Sequence, residues 1–298
     1  MTTSSSPVHE QQPARERFIQ ANGLSHHVVE WGDPSSSEVV LLCHGFLDLA
    51  WGFMQLGPRL AQAGYRAVAL DFRGHGESGR VAPSGYYYFP DYLLDLHELL
   101  PQLVTTPFHL LGHSMGGTVS SWYASTAPAE LRTLALLEGL GPNEEDPARA
   151  PVRLKNWLDH AAKARRAEPT KLLDLDAAFE RLLARHSAVD PAFLRALAEK
   201  STCPHPSGEG LTWRFDPLHR TFSPTPFNRA GFMHSLSQIK AQTLVLQGER
   251  GFRSKDDDER IAQIPRVRRE VIEGAGHMLH WTHCDRVTAL LLDHLQSG

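Results

Sequence analysis

Residues 110–117 read Leu110-Leu111-Gly112-His113-Ser114-Met115-Gly116-Gly117, an apolar run that leads into a serine between glycines. The G-x-S-x-G spacing is that of a nucleophile elbow, a tight turn that carries a serine from a strand into a helix. A serine hydroxyl is a weak nucleophile by itself, and this turn exposes it to substrate and to a base. Glycines remove side chains where backbone segments come close. The pattern therefore predicts Ser114 as a nucleophile at the end of a buried strand.

Short apolar runs alternate with helical patterns around this stretch. A hairpin with a turn at Asn22-Gly23 is predicted over residues 18–31. Continuous apolar runs are typical of strands buried on both faces of a sheet. They occur at 39–43, 65–71, 108–112, 134–138, 243–248 and 269–273. Helical spacing covers 54–63, 89–103, 117–127 and 290–295. This order predicts an α/β fold: a mostly parallel sheet flanked by helices, with its site at the carboxyl ends of the strands.

One long segment interrupts the alternation. Residues 152–166, 170–186 and 191–200 are helix-like, and a Pro-rich irregular segment follows over 203–226. A structureless loop of this length would be implausible in a compact domain. We expect a helical cap, or lid, over 142–229, inserted after the strand that ends near Glu138. The core is then 17–141 and 230–298, and residues 1–16, rich in Ser, Pro and Gln, are expected to be a disordered tail.

Composition narrows the functional class. The chain has 298 residues and a net charge of −4, and no basic face indicates nucleic acid. No apolar stretch is long enough for a membrane span, and the start of the chain lacks the pattern of a signal peptide. Three cysteines far apart favour free thiols and a cytoplasmic location. No H-E-x-x-H or C-x-x-C pattern occurs, so we expect no metal and no organic cofactor. The expected partner is a small-molecule substrate, and the protein is expected to be a monomer or homodimer.

Two backbone N–H groups are candidates for an oxyanion hole. A reaction through a tetrahedral oxyanion needs preorganised donors. One is expected from the residue after the nucleophile, Met115. The other is expected from the loop after an early strand, where His44-Gly45-Phe46 follows the run 39–43. We therefore predict the backbone N–H of Phe46 as the second donor, although His44-Gly45 can also be read as a simple turn.

The general base is predicted to be His277. Gly274-Ala275-Gly276-His277-Met278 follows the last predicted strand, so the imidazole would reach the serine from the same sheet edge. His280 and His283 are alternatives, but they are expected in or near the next helix.

The acid that orients the histidine has several candidates. The loop after 243–248 reads Glu249-Arg250-Gly251-Phe252, so a glycine stands where an aspartate is usual. Glu138 ends an apolar strand at the catalytic edge, where an unpaired buried carboxylate would be costly. We prefer Glu138, with Glu249 or Asp256 as alternatives, although Asp256 begins a charged run expected to open a solvated helix.

A second glycine-containing loop follows the strand 65–71. It reads Asp71-Phe72-Arg73-Gly74-His75-Gly76-Glu77-Ser78. Asp71, Arg73 and Ser78 are expected to tie this loop together by hydrogen bonds, which is a structural role rather than a catalytic one.

Taken together, these segments resemble the α/β-hydrolase fold superfamily over residues 18–298, most weakly in the predicted cap. The matching segments are His44-Gly45-Phe46, residues 71–78, residues 112–117 and Gly274 to His277. The stretch Leu137-Glu138-Gly139-Leu140-Gly141-Pro142, with Gly251 at the usual acid slot, looks like the serine-hydrolase-like branch. Some haloalkane dehalogenases likewise place a glutamate after this strand, which supports Glu138.

The resemblance implies a class of reaction. Epoxide hydrolases and dehalogenases of the superfamily imply an aspartate nucleophile, whereas this chain has Ser114. We therefore expect a hydrolase of carboxylic esters that works through an acyl-serine intermediate. Alternatives with the same three residues are a thioesterase, a lactonase and a C–C bond hydrolase. A non-catalytic ligand-binding protein of this fold is a further alternative, for which Gly251 is the best support.

Overall fold

An eight-stranded sheet forms the centre of the computed structural model, which describes residues 13–221 and 223–297. The order is β1-β2-β4-β3-β5-β6-β9-β10; β2 is antiparallel to both its neighbours, and the remaining pairs are parallel. The strands are β1 (Arg15–Ala21), β2 (Leu24–Trp31), β3 (Val39–Cys43), β4 (Arg66–Leu70), β5 (Phe108–His113), β6 (Leu131–Leu137), β9 (Gln242–Gly248) and β10 (Val267–Ile272). A separate two-stranded sheet pairs β7 (Thr202–Pro204) with β8 (Leu211–Trp213). The predicted mostly parallel α/β sheet is confirmed.

Helices cover both faces of the sheet. They are α1 (Leu56–Gln62), α2 (Phe89–Leu103), α3 (Met115–Ser125), α4 (Ala150–Ala164), α5 (Leu175–Arg185), α6 (Pro191–Ser201), α7 (Arg229–Ser237), α8 (Asp257–Gln263), α9 (Leu279–Thr282) and α10 (Cys284–Leu295). Short 3-10 turns occur at Ala50–Phe53, Pro147–Arg149 and Pro217–Arg220. Among the described residues, no helix is long and apolar enough to cross a membrane.

The central strands are buried on both faces, and each face has its own apolar cluster. Along β3, Val39, Leu41 and Cys43 join the cluster that contains side chains of α2, α3 and α7. Val40 and Leu42 point the other way, toward α1 and α10. Successive side chains of a strand alternate between faces, so a sheet covered on both sides needs the unbroken apolar runs seen in the sequence.

Residues 142–228, which we call the insertion, connect β6 to α7. The insertion contains α4, α5, α6, the hairpin β7–β8 and the turn Pro217–Arg220. Leu194 and Leu197 of α6 pack in one apolar cluster with Leu49, in the loop after β3, and with Trp281 of α9, which follows β10. The insertion is therefore attached to the sheet edge where parallel strands place their sites.

Two sequence-based expectations need correction. Strand β1 begins at Arg15, so Arg15 and Glu16 belong to the sheet rather than to the predicted tail, whose residues 1–12 lie outside the described residues. Glu16 accepts a hydrogen bond from Nε2 of the buried His27 at 3.0 Å, which holds this end of the strand in register. The segment 203–226 was expected to be irregular but contains the hairpin. Strands of three residues are too short to show an apolar alternation.

Candidate active site

Ser114 lies at a sharp turn between β5 and α3. Its backbone has φ +51° and ψ −116°, a conformation that costs a non-glycine residue energy and persists where the surroundings impose it. The turn is closed by contacts that leave no room for side chains. A Cβ at Gly112 would overlap the carbonyl of Gly116, and one at Gly116 would overlap that of Cys43. The two glycines thus allow the helix to start against β3 while Ser114 points out of the turn.

His277 lies next to Ser114, in the loop that leads from β10 to α9. The Ser114 hydroxyl donates to Nε2 of His277 across 3.0 Å. The His277 side chain is 37% exposed, so its ring faces the cavity described below. The two alternatives lie elsewhere. His280 is buried against Phe53 and His113, and His283 is paired with the hydroxyl of Thr282.

Glu138 completes a chain of three side chains. Nδ1–H of His277 donates to Oε2 of Glu138 at 3.3 Å, and the backbone N–H of Gly248 donates to Oε1 at 2.6 Å. The carboxylate side chain has no exposure. Glu138 follows the last residue of β6 with φ +52°. This second strained residue turns the carboxylate from the end of β6 toward the end of β9.

Gly251 explains why a glutamate fits on this strand. A Cβ at position 251 would overlap the carboxylate of Glu138. The space that a side chain from the loop after β9 would use is therefore filled by the carboxylate from β6. The two alternative acids are occupied elsewhere: Glu249 accepts from the N–H of Gly274 at 2.8 Å, and Asp256 pairs with Arg229 and Arg260.

The two predicted oxyanion donors lie on either side of the serine. Met115 is the first residue of α3, where backbone N–H groups have no partner within the helix. The loop before Phe46 touches Ser114, because a Cβ at Gly45 would lie 3.2 Å from Cβ of Ser114. Among the described residues, no hydrogen bond is donated by the N–H of Phe46 or of Met115. Their role as oxyanion donors stays a prediction.

His44 shapes the loop that carries Phe46. Its Nε2 accepts from the N–H of Phe72 at 3.0 Å, so the proton is on Nδ1, which donates to the carbonyl of Gly45 at 2.7 Å. Complete burial lowers the pKa of His44. The imidazole is therefore neutral, which is the form that this pair of hydrogen bonds requires.

The loop 71–78 has the predicted internal hydrogen bonds. The Ser78 hydroxyl donates to the carbonyl of Asp71 at 2.6 Å. The Asp71 carboxylate accepts from Nδ1–H of His27 and from the N–H of Ala50 and of Glu77. Arg73 extends to Asp95 on α2. These bonds link β2, β4 and the loop after β3, which is a structural role.

A buried group beneath the serine was not identified from the sequence. Asp48, His113 and His280 bring one carboxylate oxygen and two imidazole nitrogens within 4.8 Å of one another. Nε2–H of His113 donates to the carbonyl of His277 at 3.0 Å, which anchors the loop of the predicted base. The signal in the sequence was the position of His113 inside the elbow itself.

This group has the donor types that suit a zinc ion, yet it does not need a cation to be neutral. Burial raises the pKa of Asp48 to about 7, and the charge of Asp71 raises it as well. Burial also lowers the pKa of His113 and of His280, the latter to about 3. A proton on Asp48 together with two neutral imidazoles leaves the group without net charge.

A cavity of about 820 Å³ opens onto Ser114 and His277. This is within the size range of small-molecule sites. One wall comes from the loops at the carboxyl ends of β3, β5 and β10, including Phe46 and Met278. The opposite wall comes from the insertion, through α5, α6 and the segment 213–220.

Comparison with known proteins assigns this chain to a family of hydrolases. The family profile of the alpha/beta hydrolase fold matches residues 38–283. A serine hydrolase-like protein of Dictyostelium discoideum is 26% identical, with 92% of this chain and 78% of that protein covered. Epoxide hydrolase A of Mycobacterium tuberculosis is 28% identical, with 94% and 97% covered. Among solved structures, the thioesterase domain from the curacin biosynthetic pathway has a TM-score of 0.84 and 26% identity, with 95% and 100% covered.

Proposed function

Because this chain belongs to the alpha/beta hydrolase fold family, we propose that it is a serine hydrolase that cleaves carboxylic esters through an acyl-serine intermediate. The observation that carries the proposal is the chain of contacts from Ser114 Oγ to His277 Nε2, at 3.0 Å, and from His277 Nδ1 to Glu138 Oε2, at 3.3 Å. This is the arrangement of nucleophile, base and orienting acid that acyl transfer uses.

The reaction follows from the roles of these groups. Ser114 attacks the ester carbonyl while His277 Nε2 takes its proton. The N–H groups of Phe46 and Met115 bind the oxyanion that forms, and His277 then gives its proton to the leaving alcohol. Water, activated by the same imidazole, hydrolyses the acyl-serine. Glu138 holds Nδ1–H of His277, which fixes the tautomer and stabilises the imidazolium.

The nucleophile separates this proposal from the activity named for one relative. The M. tuberculosis relative is named an epoxide hydrolase, and the resemblance to the superfamily implies an aspartate nucleophile for that activity. Position 114 is a serine here, and a serine forms an ester intermediate that water can cleave.

Thioester hydrolysis is the second candidate. It uses the same three residues and oxyanion donors, and the thioesterase domain with a TM-score of 0.84 favours it. Lactone and C–C bond hydrolysis remain chemical alternatives for the same triad. Against a purely ligand-binding role stands Gly251, whose lack of a side chain leaves room for the Glu138 carboxylate.

A fluorophosphonate labelling experiment tests the proposal. We expect one adduct by intact mass, mapped to Ser114, and turnover of p-nitrophenyl esters. Ser114→Ala should lose the adduct and about 10⁴-fold or more in kcat, while its melting temperature stays close to that of the wild type. No adduct on the folded wild-type protein, or full activity in Ser114→Ala, would overturn the mechanism.

A further inference from the structure

The walls of the active-site cavity have a charge opposite to that of the protein. The whole chain has 34 acidic and 30 basic residues. The described residues that line the cavity include four arginines, whereas Asp48 is the only acid among them. Asp48 is buried, and this burial raises its pKa to about 7, so the carboxyl group is partly protonated at neutral pH. The arginines are Arg181, Arg185, Arg214 and Arg220.

Three of these arginines have no carboxylate partner in the part of the chain that the structure describes. Arg214 is engaged by Glu77 at 3.3 Å and by the carbonyl of Thr202 at 3.0 Å. Within residues 13–221 and 223–297, no ion pair involves Arg181, Arg185 or Arg220. The guanidinium of Arg220 lies over the ring of Phe215, 4.7 Å from its centroid. Stacking leaves the N–H edge of a guanidinium free to bind an anion.

The three unpaired arginines come from two separate elements of the insertion. Arg181 and Arg185 are four residues apart on α5, so they share a helix face, and Arg220 ends the turn Pro217–Arg220. Like charges at this helical spacing destabilise a helix. Burial lowers the pKa of Arg220, and the charges of Arg185 and Arg181 lower it further. The three positive charges therefore repel one another in the folded protein. A favourable interaction with the C-terminus of a helix can account for Arg185, at the end of α5, but not for Arg181 or Arg220.

Apolar side chains also contribute to the cavity wall. Leu182, Val189, Leu197, Trp213 and Trp281 line it beside the arginines. A ligand that fits these walls has an apolar body, a carbonyl at Ser114 and negative charge toward α5. Arginine binds carboxylates and phosphates through paired, charge-assisted hydrogen bonds.

We propose that Arg181, Arg185 and Arg220 bind an anionic group, a carboxylate or a phosphate, on a substrate whose carbonyl reaches Ser114. The inference rests on the proposed hydrolase function and defines its substrate class as acidic esters or thioesters. A carboxylate would belong to the acyl part, as in a half-ester of a dicarboxylic acid. A phosphate would belong to the leaving group, as in a thioester of a phosphorylated thiol.

Two matched pairs of substrates distinguish these sources. The mono-p-nitrophenyl ester of glutaric acid and p-nitrophenyl valerate have five-carbon acyl groups and differ in a terminal carboxylate. S-butyryl-4′-phosphopantetheine and S-butyrylpantetheine differ only in the phosphate of the leaving group. We expect the wild type to favour the charged member of one pair by about tenfold or more in kcat/KM. Added salt should reduce this preference, because the arginines are exposed to solvent in the cavity.

The variants are Arg181→Gln/Arg185→Gln and Arg220→Gln, with Arg166→Gln as a matched control. Arg166 is an exposed arginine of the insertion that does not line the cavity. We expect the first two variants to lose the preference for the charged substrate, mainly through KM, and the control to keep it. Equal use of both members of each pair by the wild type, or an unchanged preference in the two arginine variants, would overturn the proposal.

Failure of the hydrolase function can be separated from failure of the anion site. Fluorophosphonate labelling of Ser114 in each variant reports on the catalytic centre without any anionic substrate. If neither pair is hydrolysed, binding of glutarate and of coenzyme A is measured by calorimetry. Salt-sensitive binding that is lost in Arg181→Gln/Arg185→Gln supports the anion site, and the absence of binding to the wild type rejects it.

Discussion

At the level of single residues, the Glu138 carboxylate can contact His277 only because position 251 lacks a side chain. The carboxylate from β6 and a side chain from the loop after β9 would compete for one space. The same space also contains the N–H of Gly248, which donates to Oε1 of Glu138. Substitutions at positions 138 and 251 therefore test whether the acid that contacts His277 comes from the end of β6 or from the loop after β9.

Glu138→Gln is expected to reduce kcat/KM by about 10²- to 10⁴-fold, because an amide no longer stabilises the imidazolium and can impose the wrong tautomer on His277. The melting temperature should change little, since the amide has nearly the same shape. Glu249→Gln serves as the control and should keep wild-type kinetics. Wild-type activity in Glu138→Gln would move the role of the acid to another carboxylate.

Gly251→Asp should inactivate the enzyme and lower its melting temperature, because the new side chain overlaps the Glu138 carboxylate and adds a like charge. In the double variant Gly251→Asp/Glu138→Gly the overlap is gone, and glycine suits the positive φ of position 138. We expect the double variant to recover at least about tenfold in kcat over Glu138→Gly, a non-additive result. Strictly additive losses would contradict a shared space.

Asp48→Asn should change how stability depends on pH. Burial, and then the charge of Asp71, raise the pKa of Asp48 to about 7 in the folded protein. The folded state therefore keeps a proton that the unfolded state loses near pH 4, and the contribution of Asp48 to stability falls as pH rises from about 4 to 7.

Asparagine has no such proton, so the stability of Asp48→Asn relative to the wild type should increase across this window, by up to about 4 kcal/mol. Melting temperatures of both proteins from pH 4.5 to 8 provide the measurement. Parallel curves would show that the carboxyl group titrates normally.

At the level of elements, the sequence predicts the bounds of strands that are buried on both faces of the sheet. It does not predict the burial of a helix that is held by polar contacts to distant segments. Every residue of β3 is apolar and buried, and the predicted bounds of this strand agree with the structure. Helix α8 was expected to be solvated, because it begins with a charged run. Instead its Arg260 is fully buried, with Asp256 at 2.9 Å and the carbonyls of Leu140 and Pro142 as partners. These carbonyls are distant in sequence, so no local pattern reveals them.

Arg260→Met should destabilise the protein by about 2 kcal/mol, because the buried carbonyl of Leu140 and the carbonyl of Pro142 lose their donor, and Asp256 keeps only Arg229 as a partner. It should also slow fluorophosphonate labelling of Ser114, because these carbonyls belong to the loop that follows Glu138. Arg269→Met is the control. Arg269 pairs with the exposed Asp258 beside the same helix, and such pairs contribute less than about 1 kcal/mol. Equal unfolding free energies from urea titration of the two variants would contradict this role of Arg260.

At the level of the whole molecule, the residues around Ser114 could be predicted from the sequence, whereas the arginines of the cavity wall could not. Ser114 and His277 stand in short motifs at the ends of strands, so the order of the strands was enough to bring them together. The three unpaired arginines have no motif, because Arg181 and Arg220 are about forty residues apart in the chain. Their charges converge only when the insertion is folded against the sheet.

The placement of the carboxylate on β6 has a consequence for how this scaffold can diversify. In the proposed mechanism the loop after β9 contributes no side chain: the N–H of Gly248, at the end of β9, holds the Glu138 carboxylate, and Gly251 leaves room for it. Its exposed Phe252 lies within ring contact of His277, with 6.4 Å between the ring centroids. Substitution or lengthening beyond Gly251 can therefore change the surroundings of His277 without touching the contacts that join Ser114, His277 and Glu138. In a library built on this chain, that loop is where new substrate preferences should arise at the lowest cost to turnover.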